Sequence, residues 1–309
     1  MRARTPLTLI PALALVLAAC GGGASSAPTG TPLPTASPGT TAEVTPTPDA
    51  CAAENLQTMT AGTLTIGADN PAFPPYFQPS DPAPEGSEWE FGEPTNGQGL
   101  EAATAYAVAE QLGFTADQVT WVVAPFNNAI QPGPKDFDIY LTQVSYSAER
   151  AQAVDLSDGY FDLNQAVVSL ADNPIANVTT VAGLKDFKLG APVGTTSYTY
   201  IVDNIQPTQD PAVYDTLDAA LQALTATQID GIVVDLPTAF FMTAVQLDDG
   251  TIVGSLPTAG EVEHFSVLLN LGSPLTPCVN AAIGALKDDG TLAAIVDEWI
   301  TGQGAPELQ

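Results

Sequence analysis

The chain has 309 residues and carries 7 basic against 35 acidic side chains, a formal net charge of −28 at pH 7. So large an excess of negative charge argues against nucleic acid or anionic lipid as a partner of the protein surface. The length is sufficient for one large domain or two modest domains with hydrophobic cores.

Residues 1–19 have the pattern of a secretory signal. Two early arginines precede an apolar run from Leu7 to Ala19, which is too short for a membrane span. The ending Leu17-Ala-Ala-Cys20 resembles a bacterial lipobox, in which Cys20 becomes the lipidated first residue; a plain signal with an incidental cysteine is the alternative. We expect export, either lipid-anchored at the outer face of the cytoplasmic membrane or in the periplasm, with the lipid as the only membrane contact.

Residues 20–50 predict a disordered tether, because Gly, Ser, Thr, Pro and Ala dominate them and no hydrophobic periodicity is present. Cys51 then opens the folded part, and Cys278 lies near its end. In an exported protein such a pair most simply forms one disulfide. His264 is the only histidine, so a zinc site or a Ser-His-Asp hydrolase would rest on it alone. We expect neither a metal nor a cofactor.

After the tether, strand-like and helix-like segments alternate, which is typical of an α/β protein. A predicted strand at 63–67 leads to Asp69 and to a proline-rich turn containing Phe73 and Tyr76. Proline restricts the backbone around such a turn, so either ring is a candidate to stack on a ligand; packing in the core is the alternative. The next segments are a long acidic loop and an amphipathic helix, at 78–98 and 99–113.

A polar cluster follows the next two predicted strands, which span 119–123 and 139–144 with Phe126 between them. Ser147 is a candidate N-cap for a helix, and Arg150 lies in its first turn. Arg150 is the only arginine after residue 4. A planar, permanently charged fork beside hydroxyl and amide groups suits a carboxylate. Those groups belong to Thr142, Gln143 and Ser145. The alternative is a surface arginine paired with Glu149 or Asp155.

The second half of the folded part repeats this order of strand, polar turn and helix. A predicted strand ending at Val193 leads into Gly194-Thr195-Thr196-Ser197 and a helix to about residue 204. Such a turn offers backbone N–H groups to an anion, although ordinary N-capping explains the same residues. Asp235 ends a buried strand at 229–234, where ligands bind in open α/β sheets. The remaining predicted elements are helices at 217–224, 278–286 and 292–299 and a strand at 265–270.

The order and spacing of these segments resemble the amino-acid-binding proteins of ABC importers, over roughly residues 56–301. The matching pieces are Gly62-Thr-Leu-Thr-Ile-Gly67, the Pro-Pro-Tyr-Phe77 turn, Ser145-x-x-x-Glu-Arg150, Val154-Asp-Leu-Ser-Asp-Gly-Tyr160, Val193-Gly-Thr-Thr196, Ile229-Asp-Gly-Ile-Val-Val-Asp235 and Asp289-Gly-Thr-Leu292 followed by Trp299. The resemblance implies a two-lobed periplasmic-binding-protein fold of type II, in which each lobe is a mostly parallel sheet flanked by helices. The implied first lobe comprises 52–161 and 263–304, and the second comprises 162–262, joined by two hinge crossovers.

The resemblance also implies roles for individual residues. Arg150, Thr195 and Thr196 would hold the α-carboxylate of an amino acid, and Asp235 would bind its α-ammonium group. Oxygens near Thr142 and Gln143, with Ser145 beside them, would assist. Phe73 would cover the ligand, Phe126 stands where the family often has a tryptophan or phenylalanine, and Asp69 is a further candidate for ligand binding. Thr142-Gln143 replaces a commoner pair of small residues, and Asn127 stands where aspartate is frequent, so the identity of the amino acid stays open.

The implied activity is capture of a free amino acid by closure of the lobes and delivery to an ABC permease and its ATPase, by a monomer and without catalysis. Two alternatives remain open. One is an exported enzyme of the same fold, a dehydratase of the prephenate type or a peptidoglycan-cleaving enzyme, which would need a general acid or base such as Asp235 or the pair Glu263-His264. The other is a sensor that presents its closed form to a receptor.

Overall fold

The computed structural model describes residues 48–300 and 304–309. The predicted signal, Cys20 and nearly all of the predicted tether lie outside the described residues. The strands are β1 (Leu64–Ala68), β2 (Val119–Val123), β3 (Ile139–Tyr140), β4 (Asp155–Leu163), β5 (Gln165–Leu170), β6 (Leu189–Pro192), β7 (Ala212–Tyr214), β8 (Gly231–Asp235), β9 (Gly250–Ser255) and β10 (Glu263–Leu269). The helices are α1 (Leu100–Gln111), α2 (Phe126–Ala129), α3 (Thr196–Tyr200), α4 (Leu217–Thr225), α5 (Leu236–Phe241), α6 (Thr276–Asp288) and α7 (Thr291–Trp299).

The strands form two sheets, with the orders β2-β1-β3-β10-β4 and β7-β6-β8-β5-β9. We call the part of the chain built on the former the first lobe and the part built on the latter the second lobe. In the first sheet only β10 runs against its neighbours, and in the second only β5 does so. Each of these two strands directly follows a passage of the chain from the other sheet. The predicted fold class of two mostly parallel sheets flanked by helices is confirmed.

Apolar side chains pack on both faces of each sheet, as expected for parallel strands covered by helices. In the first lobe, α1 and α6 cover one face, where Ile66, Val108 and Ile283 are fully buried. In the second lobe, the two faces bury separate clusters that contain, for example, Ile232 and Val233. The alternation of neighbouring strand residues between faces explains why both read as continuous apolar runs in the sequence.

Three predicted elements differ from those observed. The strand predicted at 139–144 ends at Tyr140, because the backbone of Gln143 has φ of 43° and cannot continue an extended strand. The helix predicted after Ser147 is a single 3₁₀ turn, Arg150–Gln152, although the Ser147 hydroxyl does accept a hydrogen bond from the Arg150 N–H at 3.1 Å. The helix predicted to reach residue 204 is α-helical for five residues and continues as a π-helical turn, Ile201–Ile205.

The predicted disulfide between Cys51 and Cys278 is confirmed. It joins the start of the described chain to α6 across 227 residues. Closing so long a loop removes conformational entropy from the unfolded chain, a contribution of about 5 kcal/mol in the chain-entropy model.

The C-terminal residues lie on the second lobe, although α7 packs in the first. Ser255 on β9 donates its N–H to the Pro306 carbonyl at 2.7 Å, and the Leu308 N–H donates to the Ser255 carbonyl at 2.9 Å. Leu308 is 2% exposed and packs in a second-lobe core. A Cβ at Gly254 would approach Leu308 Cγ to 2.7 Å, so a glycine there makes room for the segment.

Hydrogen bonds to the buried side chain of Glu101 fix α1 to the loop that follows β3. The Glu101 carboxylate is fully buried and accepts hydrogen bonds from Gln143, through its backbone N–H at 2.6 Å and its side-chain Nε2 at 2.5 Å. The Tyr160 hydroxyl donates a third bond at 2.6 Å. Burial raises the pKa of Glu101 from 4.5 to about 7, against the opposing effect of these bonds. The two hydrogen bonds from Gln143 to Glu101 compensate for the unfavourable left-handed backbone of Gln143.

Replacement of Leu308 by alanine tests the packing of the C-terminal segment. We expect Leu308→Ala to lower the free energy of unfolding by about 2–5 kcal/mol, because it leaves a cavity in a closed core. Leu271→Ala is the matched control, because Leu271 is 59% exposed. Chemical denaturation measures both variants, and equal stabilities for the two would contradict the docking of this segment.

Replacement of Glu101 by glutamine tests the buried carboxyl. The folded protein binds this proton more tightly than the unfolded chain, since the pKa rises from 4.5 to about 7. The stabilising contribution is therefore complete below about pH 4.5 and is lost as the pH rises through 7. In the wild type, we expect the free energy of unfolding to fall by about 2 kcal/mol between pH 5 and pH 7 because of this carboxyl. We expect the Glu101→Gln variant not to show this fall.

Denaturation curves at several pH values measure this loss. Glu110→Gln on the same helix is the control, because Glu110 is exposed. The prediction fails if the Glu101→Gln variant and the wild type lose the same stability over this range.

Candidate functional site

A cavity of ≈ 340 Å³ lies between the two lobes. It is lined from the first lobe by residues that follow β1, β2 and β3, and from the second by residues that follow β6 and end β8, which is the edge where α/β sheets bind ligands. Nine of the ten predicted site residues line it: Asp69, Phe73, Phe126, Thr142, Gln143, Arg150, Thr195, Thr196 and Asp235. Ser145 does not.

Arg150 lies in the cavity wall and is only 8% exposed. Its guanidinium donates to the Ser145 carbonyl at 2.6 Å and to the Gly194 carbonyl at 2.7 Å. These bonds use one hydrogen on each terminal nitrogen and leave the other for an incoming acceptor. Burial lowers the pKa of Arg150, while the charge of Asp235 raises it, and the group stays charged.

The alternative of a surface ion pair does not fit this geometry. Asp155 accepts hydrogen bonds from the backbone N–H groups of Gly272 and Ser273 and from the Thr276 hydroxyl, at 2.7–3.1 Å. The guanidinium carbon of Arg150 lies 5.3 Å from the centroid of the Phe126 ring. The arginine is thus held by carbonyls and an aromatic face, an arrangement that fixes its fork without neutralising its charge.

Asp235 is the last residue of β8 and lies in the second-lobe wall of the cavity. Its carboxylate does not cap α5, which begins at the next residue; it accepts instead from the Gln165 Nε2 at 2.7 Å. Burial, followed by the charge of Glu263, raises the pKa of Asp235 to about 8. An anion here is costly until a cation or further donors arrive.

The Gly194-Thr195-Thr196 turn lies against Arg150, which donates to the Gly194 carbonyl. Thr195 is the N-cap of α3: its hydroxyl accepts from the Tyr198 N–H at 3.2 Å and donates to the Pro192 carbonyl at 2.8 Å. The capping explanation therefore holds for the Thr195 side chain. The Thr196 hydroxyl is 3.5 Å from that of Ser145, which is buried behind Arg150 and supports it through its carbonyl. We expected Ser145 beside the ligand, and the structure gives it this supporting place instead.

The loops after β1 and β3 are joined to each other. The Thr142 hydroxyl accepts from the Asp69 N–H at 2.9 Å and donates to the Leu141 carbonyl at 2.6 Å. Gln143 lines the cavity while its amide is held by Glu101. Burial raises the pKa of Asp69, against the effect of backbone N–H groups of Phe126 and Asn70.

The two lobes contact each other around the cavity. The Phe73 ring stacks on Phe241 with centroids 5.7 Å apart, and the hydroxyls of Tyr76 and Thr238 are 3.0 Å apart. Of the two candidate rings, Phe73 lines the cavity, whereas Tyr76 is fully buried in the first-lobe core. Together with the bond from Arg150 to the Gly194 carbonyl, these contacts join the two lobes.

The sequence analysis missed three residues that shape this site. Glu101 and Gln165 hold cavity residues from behind, and Gln246 lines the cavity with a buried Oε1 that has no hydrogen-bond partner within the described ranges. Gln165 had one available signal, because a polar residue opening the apolar run Gln165-Ala-Val-Val stands out. Glu101 had a similar one on the apolar side of α1.

Within residues 48–300 and 304–309, no helix is long and apolar enough to cross a membrane. The same part of the chain contains no cluster of three or more His, Cys, Asp or Glu side chains suited to a metal ion.

Comparison with known proteins gives a consistent result. The family model of bacterial extracellular solute-binding proteins, family 3, matches residues 64–302. The L-cystine-binding protein TcyJ of Escherichia coli K12 is 29% identical over 245 residues, covering 77% of this chain and 82% of that protein. The arginine-binding extracellular protein ArtP of Bacillus subtilis 168 is 25% identical over 228 residues, covering 70% and 82%.

Among solved structures, an ancestral arginine-binding protein bound to arginine superposes with a TM-score of 0.60 at 25% identity, over 77% of this chain and 98% of that one. The similarity thus extends over both lobes and over every segment that lines the cavity. The chain belongs to the bacterial extracellular solute-binding proteins of family 3.

Proposed function

We propose that this protein captures a free amino acid between its lobes and delivers it to the permease of an ABC importer. One observation carries the proposal: the buried guanidinium of Arg150 and the half-buried carboxyl of Asp235 line the same cavity from opposite lobes. An α-amino acid presents one carboxylate and one ammonium group on a single carbon. It therefore offers a carboxylate to the guanidinium and an ammonium group to the carboxyl. The amino-acid ligands named for the relatives support the same class.

The carboxylate of the ligand accepts the free hydrogens of Arg150, the backbone N–H groups of Thr195 and Thr196, and the Thr196 hydroxyl. The ammonium group donates to Asp235 and to oxygens near Thr142 and Gln143. Phe73 and Phe126 cover the apolar part of the ligand, and Asp69 faces its side chain. These roles place one charged anchor on each lobe.

Such a ligand makes its full set of contacts only when the lobes are closed. It therefore shifts the equilibrium between open and closed forms by its differential affinity for the closed form. The hinge is proposed at the two passages between the sheets, with 52–161 and 263–304 in the first lobe and 162–262 in the second. The closed form is what a permease coupled to an ATPase recognises.

The site of action is outside the cytoplasm, in keeping with the family. We propose that Cys20 carries the lipid, that residues 20–50 tether the folded part to the outer face of the cytoplasmic membrane, and that the protein works as a monomer without catalysing a reaction. A surface with so many acidic groups stays soluble near a membrane.

Substitution of the two charged anchors tests the proposal. Isothermal titration of the wild type with the twenty amino acids identifies the ligand, and its Kd is then compared among variants. We expect Arg150→Lys and Asp235→Asn each to weaken binding by about 100-fold, which corresponds to losing a buried charged hydrogen bond of about 3 kcal/mol. Lysine keeps the charge of Arg150 but not its two-pronged geometry.

Glu149→Gln is the control, because Glu149 is exposed and does not line the cavity; its Kd should stay within a few-fold of the wild type. A wild-type protein that binds none of the twenty amino acids but converts prephenate would replace this function with a dehydratase. Unchanged affinity in both anchor variants would refute the roles of Arg150 and Asp235.

A further inference from the structure

One amide side chain lies at the centre of the hydrogen bonds behind the cavity. Gln165 is the first residue of β5, two residues after β4 ends at Leu163, and is 2% exposed. Its Nε2 donates to Asp235 Oδ1 at 2.7 Å and to Glu263 Oε2 at 3.0 Å. Its Oε1 accepts from the Ser197 hydroxyl at 2.6 Å. Gln165 itself is not part of the cavity wall.

The chemistry of this position suits an amide. Gln165 and Asp235 are directly opposed in the antiparallel pair β5 and β8, so their side chains emerge side by side. Two carboxylates approach the same nitrogen, and an amide has two N–H donors on that atom, one for each. The carbonyl of the same amide is left for a hydroxyl donor, which Ser197 on α3 provides. Every polar atom of the Gln165 side chain is thus used.

Gln165 also joins both passages between the lobes. Its backbone carbonyl accepts from the Leu256 N–H at 2.7 Å, at the start of the return passage. Glu263, at the end of that passage, pairs with Leu163 in the first sheet. The Oε1 of Glu263 is buried and has no hydrogen-bond partner in the described part of the chain. The bond from the Gln165 Nε2 to Oε2 therefore contributes much of the stabilisation of this carboxylate.

We propose that Gln165 is a positioning residue for ligand binding: it fixes one oxygen of Asp235, turns the other toward the ligand's ammonium group, and connects that carboxylate to both hinge passages. This inference rests on the proposed function, because it assumes that Asp235 receives an ammonium group. Gln165 acts without touching the ligand. Asp235 and the two hinge passages then move as one unit when the lobes close.

The electrostatics of Asp235 provide a direct readout of this role. The Gln165 N–H group stabilises the charged form of Asp235 and so lowers its pKa, while burial and Glu263 raise it to about 8. Binding of an ammonium group requires the charged form, so affinity improves as the pH rises toward this pKa. The titratable and charged groups that act on Asp235 are Glu263 on β10, Arg150 in the 3₁₀ turn, Glu101 on α1, Tyr76 after β1 and Tyr160 on β4.

Gln165→Met tests the inference, because methionine has a similar length and shape but donates no hydrogen bond. Titration calorimetry with the amino acid bound by the wild type measures Kd between pH 6 and pH 9. We expect binding at pH 7 to be weaker by tenfold or more, and the improvement of affinity with pH to be displaced to higher pH. Ser197→Ala, which removes the bond to the amide carbonyl and one hydroxyl of the cavity wall, should displace the pH profile in the same direction by a smaller amount.

The outcomes separate the two proposals. A Gln165→Met variant with the wild-type Kd and pH profile overturns the positioning role and leaves the proposed function intact. Weaker binding by the same factor at every pH also overturns it, because lost packing alone would act that way. If the methionine variant does not fold, an Ser197→Ala variant with an unchanged pH profile refutes the inference. A wild type that binds no amino acid removes the proposed function, and this inference with it.

Discussion

The buried guanidinium of Arg150 is the constraint on which the site depends. A charge removed from water is costly unless hydrogen bonds and counter-charges replace its hydration. The protein replaces part of it with two carbonyls, from Ser145 in the first lobe and Gly194 in the second. Because these carbonyls belong to different lobes, the arginine is fully supported only when the lobes are together. The residue that we propose to bind the ligand therefore also makes a hydrogen bond that depends on closure.

The topology explains how the second anchor comes to face the first. In each sheet the single antiparallel strand is the one that enters from the other lobe, β5 in the second and β10 in the first. Their first residues, Gln165 and Glu263, consequently meet at the hinge, hydrogen-bonded to each other. Asp235, opposed to Gln165 in the sheet, is drawn into the same group. The arrangement of acids behind the cavity thus follows from strand order.

Much of this site was predictable from local sequence. Arg150, Asp235 and the turn at 194–196 follow predicted strands, and strand ends meet at one edge of an α/β sheet whatever the details of the fold. Glu101 and Gln165 were missed because their partners are far along the chain, at Gln143 and at Asp235. Hydrophobic periodicity shows that such residues are buried but not what they bind.

The same limit applies to backbone conformation and to the C-terminus. The strand predicted through residue 144 ends at Tyr140, and Gln143 adopts a left-handed conformation in which its backbone N–H and its side chain both bond to Glu101. Residues 306–309 carry no periodicity, and only the free edge of β9 and the space above Gly254 account for their docking. Tertiary contacts override local preference at both places.

The charged groups of the cavity explain how the proposed ligand favours the closed form. Burial and the nearby charge of Glu263 raise the pKa of Asp235 to about 8, whereas the positive charge of Arg150 on the other lobe acts in the opposite direction. Under the proposed function, an ammonium group favours the charged form of Asp235 and a carboxylate meets Arg150, which makes the closed form more favourable with a zwitterion than without one. A ligand shifts such an equilibrium only by its differential affinity for the closed form, and under this proposal its contacts with Arg150 and Asp235 provide that difference.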